Sequence, residues 1–409
     1  MATKNAETKR FGEKRDAIVH AASVLINEVG VQATTLSDVA RAIGLNATSI
    51  TYYFARKEQL VVAVYEETLQ RMEEMAKDAL AEADPAARLK HFLTSHIALR
   101  HRIRAGERGL ITALSEIRSL DPETQAPLLD HYRRIVDTVR AFFGEALTPE
   151  VRALFSARAH VLLEAIMWWP VWSLRYSTLD FPRVEERLFD ILAHGLPADP
   201  GDWRPQALEG EWRTGDDTDS SPLAAFLRAA TVMINQRGYR GASVNRIAKS
   251  LNVTKGSFYH HHEAKDDLVF ACFQNSYDRI SAVQMAGNAV AADHWTRLAS
   301  VLSELVDLQF FDPMPLLRTT ALQALESGQK ADVVTRSNRL ARRFADMLID
   351  GIADGSVRPI DPLIASQVIM STVNSAYEAR HWAARFDEPA VAIETYLSTL
   401  SEGLLAPSQ

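Results

Sequence analysis

The residues of this chain best placed to do chemistry are small hydroxylic, basic and aromatic side chains near the starts of short helices, and they occur twice. One set is Thr35, Ala47, Thr48, Ser49, Tyr52, Tyr53 and Lys57; the other is Ser243, Lys255, Gly256, Ser257, Tyr259, His260, His261 and Lys265. Such residues suit the reading of a DNA groove. Thr and Ser hydroxyls serve several bases, the methyls of Ala and Thr meet a thymine methyl, and Lys donates to guanine O6 or N7. Lys255 therefore offers a contact that Ala47, its counterpart, cannot make. Unsatisfied N–H groups at a helix start attract an anion, which points Thr35 and Ser243 toward backbone phosphate. Tyr52 and Tyr53 with Lys57, and Tyr259 and His261 with Lys265, are placed to grip the backbone on the other side. Thr35, Ser243, Asn46 and Thr254 would equally serve as helix caps in a protein that never met DNA, and Ile50 and Phe258 read as core.

Other chemistries fit poorly. The run His260-His261-His262 invites a metal reading, but consecutive helical residues point about 100° apart and cannot chelate one ion together. The chain has no Gly-rich phosphate loop, no His-Glu-x-x-His and no nucleophile elbow, and its one cysteine, Cys272, sits beside Phe270 and Phe273 in an apolar setting. An enzyme is not expected, nor a cofactor.

The elements that must hold the two sets are repeats of one another. Shifting the chain by 208 positions aligns 21–63 with 229–271, and twelve of these 43 pairs are identical, among them Asn27/Asn235, Gly30/Gly238, Ala40/Ala248 and Lys57/Lys265. In the first copy Ile18, Ala22, Leu25, Ile26 and Val29 form the apolar stripe of a helix that Gly30 stops. Thr35 caps a second helix with Asp38 in its first turn, and Leu36, Val39, Ala40 and Ile43 as its buried side. Gly44 makes the turn, and Asn46 caps a third helix running to Tyr53. Two short helices joined by a three- to four-residue turn containing Gly form a helix-turn-helix. The second copy repeats the plan, with Asn252 at the Gly44 position because Asn tolerates left-handed backbone. His262 replaces Phe54 there.

The wording of both segments resembles the TetR family of one-component regulators, whose pattern is T-x-x-x-I-A-x-x-x-G-V-S-x-G-x-x-Y-x-H-F-x-x-K-x-x-L. Thr35–Leu60 and Ser243–Leu268 each look like one copy, and N-V-T-K-G-S-F-Y-H-H-H-E-A-K in the second is near the family's usual phrasing. Thr51 departs from it, standing where the family has Tyr. The resemblance implies an all-α chain of two tandem units. Each would be an N-terminal three-helix DNA-binding domain followed by a helical ligand-binding and dimerising domain. The corresponding boundaries are 1–60 and 61–196 for the first unit, 222–268 and 269–409 for the second, and a linker at 197–221 rich in Pro, Gly and Asp. Trp203 and Trp212 suggest that this linker lies against a domain surface.

Charge and composition agree. Residues 1–60 carry eight Lys/Arg against six Asp/Glu, and 223–270 seven against three, on a chain whose net charge is −7. Two modestly basic segments on an acidic protein fit local contact with phosphate. A lone cysteine and the lack of any long apolar run fit a cytoplasmic protein. In the helical bodies, polar groups on apolar helices are the candidates for a small hydrophobic effector. They are His96, Arg100, His160, Glu164 and Trp168 in the first, and Phe310, Phe311, Met314, Arg318 and Tyr377 in the second. The cluster Trp168–Trp172 reads more readily as interface or core. In this family the last two helices pair with those of a second subunit, and here that partner can be the other half of the same chain. The expected function is a ligand-released repressor whose fused modules straddle one double-stranded operator as an intramolecular pseudo-dimer. The alternative keeps one module for DNA and the other for assembly or sensing.

Overall fold

A computed structural model of the chain describes residues 2–107, 111–114, 117, 120–213, 222–254 and 265–407. Their regular structure is all helical, apart from one isolated antiparallel bridge between Pro197 and Val357. None of the helices described is long and apolar enough to cross a membrane. The chain divides into two compact units, residues 1–78 with 95–138, and residues 79–94 with 139–409.

The first unit opens with α1 (Ala2–Ala33), which leaves helical geometry at Gly30, followed by α2 (Leu36–Ala42), α3 (Ala47–Tyr53) and α4 (Lys57–Leu80). Ile18, Ala22 and Ile26 of α1 are buried with Val39, Ala40, Ile50, Phe54 and Leu60 and close one core, whereas Val29, read as part of the same stripe, is 50% exposed just before the break at Gly30. Each of the larger buried ones, Ile, Val, Leu and Phe, contributes roughly 1.5–3 kcal/mol by leaving water. Gly44 takes φ +67° between α2 and α3, a left-handed turn that a side chain would strain. The last part of α5 (Pro85–Arg104) and most of α6 (Pro122–Arg140) complete this unit.

Ile111–Ala113 form no helix, and the backbone there is bonded sideways instead. The Asn27 amide donates to Ile111 O at 3.1 Å and accepts from Ala113 N–H at 3.0 Å, while Thr112 N–H donates to Thr68 Oγ1 at 3.0 Å. Backbone groups held by side chains in this way are not free to form helical bonds. Helix α6 begins at Pro122, where Asp121 accepts Thr124 N–H at 3.0 Å and starts the helix.

The second unit contains α7 (Pro149–Trp172), α8 (Phe181–His194), α9 (Pro222–Gly241), α10 (Val244–Ser250), α11 (Lys265–Asn288), α12 (His294–Phe310), α13 (Ser327–Asp354), α14 (Pro362–Ser375) and α15 (Pro389–Ser401). The plan of the first repeat recurs here. Ser243 caps α10, and Asn252, at the Gly44 position, takes φ +55°. Asn235, the counterpart of Asn27, donates to Leu316 O at 2.9 Å and accepts from Arg318 N–H at 3.0 Å. Ser276, the counterpart of Thr68, accepts from Leu317 N–H at 2.9 Å. The likeness continues into the bodies, where Ala83–Leu93 and Ala292–Leu302 share the pattern A-D-x-x-x-R-L-x-x-x-L.

Within this unit α7 and α8 of the first repeat pack on α14 and α15 of the second. Their contacts are reciprocal. Leu196 N–H donates to Leu400 O at 2.8 Å, and Leu404 N–H donates to Leu192 O at 2.7 Å. Both segments read L-x-x-G-L, and both glycines have positive φ, Gly195 at 72° and Gly403 at 87°. A Cβ on Gly195 would stand 2.7 Å from Leu400 O, and one on Gly403 would stand 2.4 Å from Ala193 O, so only glycine permits this approach.

The stretch after α8 is fastened to the second body. Gln206 N–H donates to Ser300 Oγ at 2.8 Å, and the buried Trp212 indole donates to Glu304 Oε1 at 2.7 Å. Trp203 packs edge-on against Trp295, and Arg213 pairs with Glu304 at 2.9 Å and Asp307 at 2.6 Å. Two tryptophans in a polar linker thus find an apolar seat and a carboxylate.

Candidate nucleic-acid interface

Helix α3 presents one face outward because its other face is anchored. Ile50 is fully buried and Phe54, just past the helix, packs beneath the Arg15 guanidinium at 5.4 Å. Ala47, Thr48, Thr51 and Tyr52 are left exposed along the opposite side, with Tyr52 75% accessible. Three of these four are candidate readers; Thr51 joins them by position, its hydroxyl donating to Thr48 O at 2.9 Å. Ser49 is turned to another task, since its N–H and Oγ both donate to Asn46 Oδ1 at 2.8 Å. It helps cap the helix from within.

The tyrosines carry a support that the sequence reading missed. Phe11 of α1 lies 4.7 Å from the Tyr53 ring and 5.9 Å, edge-on, from the Tyr52 ring, and the two tyrosines meet at 5.3 Å. The signal was an isolated aromatic among the charged residues that precede the apolar stripe. Lys57 opens α4 beyond this cluster.

At the start of α2, Thr35 forms a capping box with Asp38: its Oγ1 accepts Asp38 N–H at 3.1 Å and donates to Asp38 Oδ2 at 2.6 Å. The Thr35 hydroxyl, its N–H and the Arg41 guanidinium hold the Asp38 carboxyl below the usual carboxylate range. That carboxylate occupies the anion position a phosphate would take. At the matching place in the second repeat stands Arg246, whose N–H donates to Ser243 Oγ at 3.3 Å.

Lys255, Gly256, Ser257, Tyr259, His260 and His261, with His262, lie outside the described residues. Lys265 opens α11 with its ammonium 3.6 Å from the Tyr239 ring centroid and donating to Tyr239 O. It ties α11 to the end of α9.

Comparison with known sequences now bears on this geometry. Residues 18–64 and again 226–272 match the family of bacterial regulatory proteins of the tetR type, and residues 293–378 match a tetracyclin repressor-like C-terminal domain. It is a TetR-family regulator with its N-terminal module in tandem. Among its curated relatives, the HTH-type transcriptional repressor KstR2 of Mycolicibacterium smegmatis is 27% identical over 35% of this chain and 72% of its own. The HTH-type transcriptional regulator HbdR of Aromatoleum sp. (strain CIB) is 24% identical over 39% and 69%. Among solved structures, AibR in complex with isovaleryl coenzyme A and operator DNA aligns with a TM-score of 0.37 at 21% identity, over 43% of this chain and 96% of that one. The TetR-family chain is accordingly a DNA-binding transcriptional regulator, and its relatives are regulators rather than enzymes.

The effector candidates of this TetR-family chain fall in both units. His96 and Arg100 belong to the first unit; His160, Glu164 and Trp168 belong to the second. His160 Nε2 donates to Ser375 O at 3.0 Å, with its ring 6.1 Å from Tyr396, so it joins the packing of α7 on the second repeat. Trp168 is half-buried next to Trp169, which is buried against Trp172 and Phe181. In the second body Phe310 is packed on Phe311, Trp382 and Tyr396, while Met314 and Tyr377 are buried. Arg318 is paired with Glu378. Asn27 and Asn235 stand out in the sequence only as an identical pair; their role as braces appears only with the hydrogen bonds each makes.

Proposed function

We propose that this regulator is a ligand-released repressor acting in the cytoplasm, in which the two fused modules straddle one operator as an intramolecular pseudo-dimer. The observation that carries it is the reciprocal contact of the two L-x-x-G-L segments. An isologous interface is one in which residue i meets j and j meets i, as in a twofold dimer. Here both partners are in one chain. The braces at Asn27 and Asn235 support a route from body to module, because each joins the first helix of a module to the segment that follows α5 or α12. An effector that favours one arrangement of that segment shifts the population toward modules placed wrongly for DNA, which need recognition helices about 34–36 Å apart.

The modules have diverged, with Asp38 against Arg246 and Ala47 against Lys255, so the operator has unlike half-sites. Selection of binding sites from a random pool tests this; perfect palindromes among the winners would refute it. Alanine at Tyr52 with Lys57, compared with alanine at Tyr259 with Lys265, gives comparable losses of affinity if both modules read DNA. Loss confined to one pair supports the reading in which the other module serves assembly. The commitment of Lys265 to Tyr239 favours that second reading for this one contact.

A further inference from the structure

We infer that the part of α1 ahead of residue 18, pinned to helix α3 by Phe11, is a further contact to the DNA backbone that only the first module has. This rests on the reading of the first module as one that binds DNA, and it extends the binding surface beyond α2 and α3.

The family match begins at residue 18, so this stretch stands outside the shared module. It is helical all the same, because α1 runs from Ala2 to Ala33 and leaves helical geometry only at Gly30. Phe11 joins it to the reading face. Its ring lies 4.7 Å from that of Tyr53 and 5.9 Å, edge-on, from that of Tyr52, and one turn further on the Arg15 guanidinium stands 5.4 Å from the Phe54 ring. The end of α3 and the residue that closes it are thus held by α1. These rings are not core: Phe11 is 41% exposed and Tyr52 75%. Aromatic pairs of this geometry attract beyond the area they bury. Phenols already fixed in place lose less freedom when they meet a phosphate.

Charge points to the same surface. Residues 1–17 carry five Lys/Arg against three Asp/Glu, whereas residues 18–60 carry three against three. The whole basic excess of the first module therefore lies on the stretch that holds Phe11. Lys14 and Arg15 are exposed and follow Phe11 by three and four residues, so they share its side of α1. Glu13 and Asp16, two and five residues on, turn away from it. With Arg15 engaged by Phe54, Lys14 is the cation placed beside the outward face of α3, where the phosphates flanking a groove would pass.

The second module lacks these groups. In the register of the repeat Asp219 stands for Phe11, Leu223 for Arg15, and His260, His261 and His262 for Tyr52, Tyr53 and Phe54. Pro222, level with Lys14, opens α9. Ahead of it Asp216, Asp217 and Asp219 are of the sign that phosphate repels.

The test is titration of the full chain, at several salt concentrations, against the duplex that the unaltered chain selects from a random pool. Lys14→Gln weakens binding alike for selected and scrambled duplexes and lowers the salt slope by about one. Phe11→Ala weakens binding roughly ten-fold with the denaturation midpoint unchanged, and Phe11→Tyr, which keeps the ring, restores most of it. Once Tyr52 and Tyr53 are alanine, Phe11→Ala costs less than about two-fold more, as a residue acting through the tyrosines requires. A salt slope unchanged in Lys14→Gln overturns the backbone contact. No loss in Phe11→Ala, or the same loss with and without the tyrosines, overturns the pin. A fall in midpoint large enough to explain the Phe11→Ala loss also overturns the pin, and Lys14→Gln, at an exposed side chain, still decides the contact. If alanine at Tyr52 and Tyr53 leaves affinity unchanged, the straddling reading fails and the α1 contact with it; a loss there with none at Lys14 or Phe11 overturns the α1 contact alone.

Discussion

At the scale of single residues, burial decides which reactive groups remain reactive. Cys272 is fully buried in α11, its thiol 3.7 Å from Leu227 O, and burial pushes it up to about 12. A free cysteine titrates near 8.5, so the native thiol carries almost no thiolate at neutral pH. Iodoacetamide at pH 8 should label the native chain at least ~100-fold more slowly than the denatured one, since thiolate access requires opening. Labelling of native protein at the denatured rate would show that α11 is not packed as described. The candidate readers obey the same logic. Thr48 and Tyr52 are available because Ile50 and Phe54 take the inward positions, whereas Ser49, equally polar, is used up by Asn46.

At the scale of elements, close backbone approach gives the sharpest expectation. Gly195 and Gly403 occupy equivalent places in the two closing segments, both at positive φ and both against a carbonyl oxygen of the other repeat. Alanine at either site brings left-handed strain and a clash with backbone that cannot rotate away, about 3 kcal/mol together. Because the contacts are reciprocal, Gly195→Ala and Gly403→Ala should lower the denaturation midpoint by similar amounts. A loss at one site and none at the other would count against a twofold-like arrangement. Asn252 shows the milder case. An exposed turn needing φ +55° accepts Asn in place of Gly at small cost.

At the scale of the whole molecule, α7 and α8 of the first repeat pack on α14 and α15 of the second, and in the proposed pseudo-dimer this contact takes the place of one with another chain. The free protein should therefore sediment as a monomer of 45.5 kDa, and one chain should occupy one operator. A free dimer, or two chains per operator, would mean that fusion did not replace self-association. The strap from Gln206 to Arg213 runs exposed over the second body, anchored by buried Trp212, and the second body and the closing helices of the first belong to one packed unit.

The amino-acid sequence alone determined what is set by local spacing. The 3.6-residue stripes, the caps at Thr35, Asn46 and Ser243, the turn residues Gly44 and Asn252, and the duplication at 208 positions are short-range signals. From them the all-α class and both helix-turn-helix modules follow. What depends on contacts between residues distant in the chain was not legible. Asn27 reads as a polar intrusion until Ile111 and Ala113 arrive to meet both ends of its amide. His160 reads as a pocket residue until Ser375, far along the chain, supplies a carbonyl. Arg100 and Arg318 look alike as cations on apolar helices, and only the folded chain brings Glu378 to the second and no carboxylate among the described residues to the first. Charge compensation and pairing are properties of three-dimensional neighbours, and that is why the tertiary structure decided them.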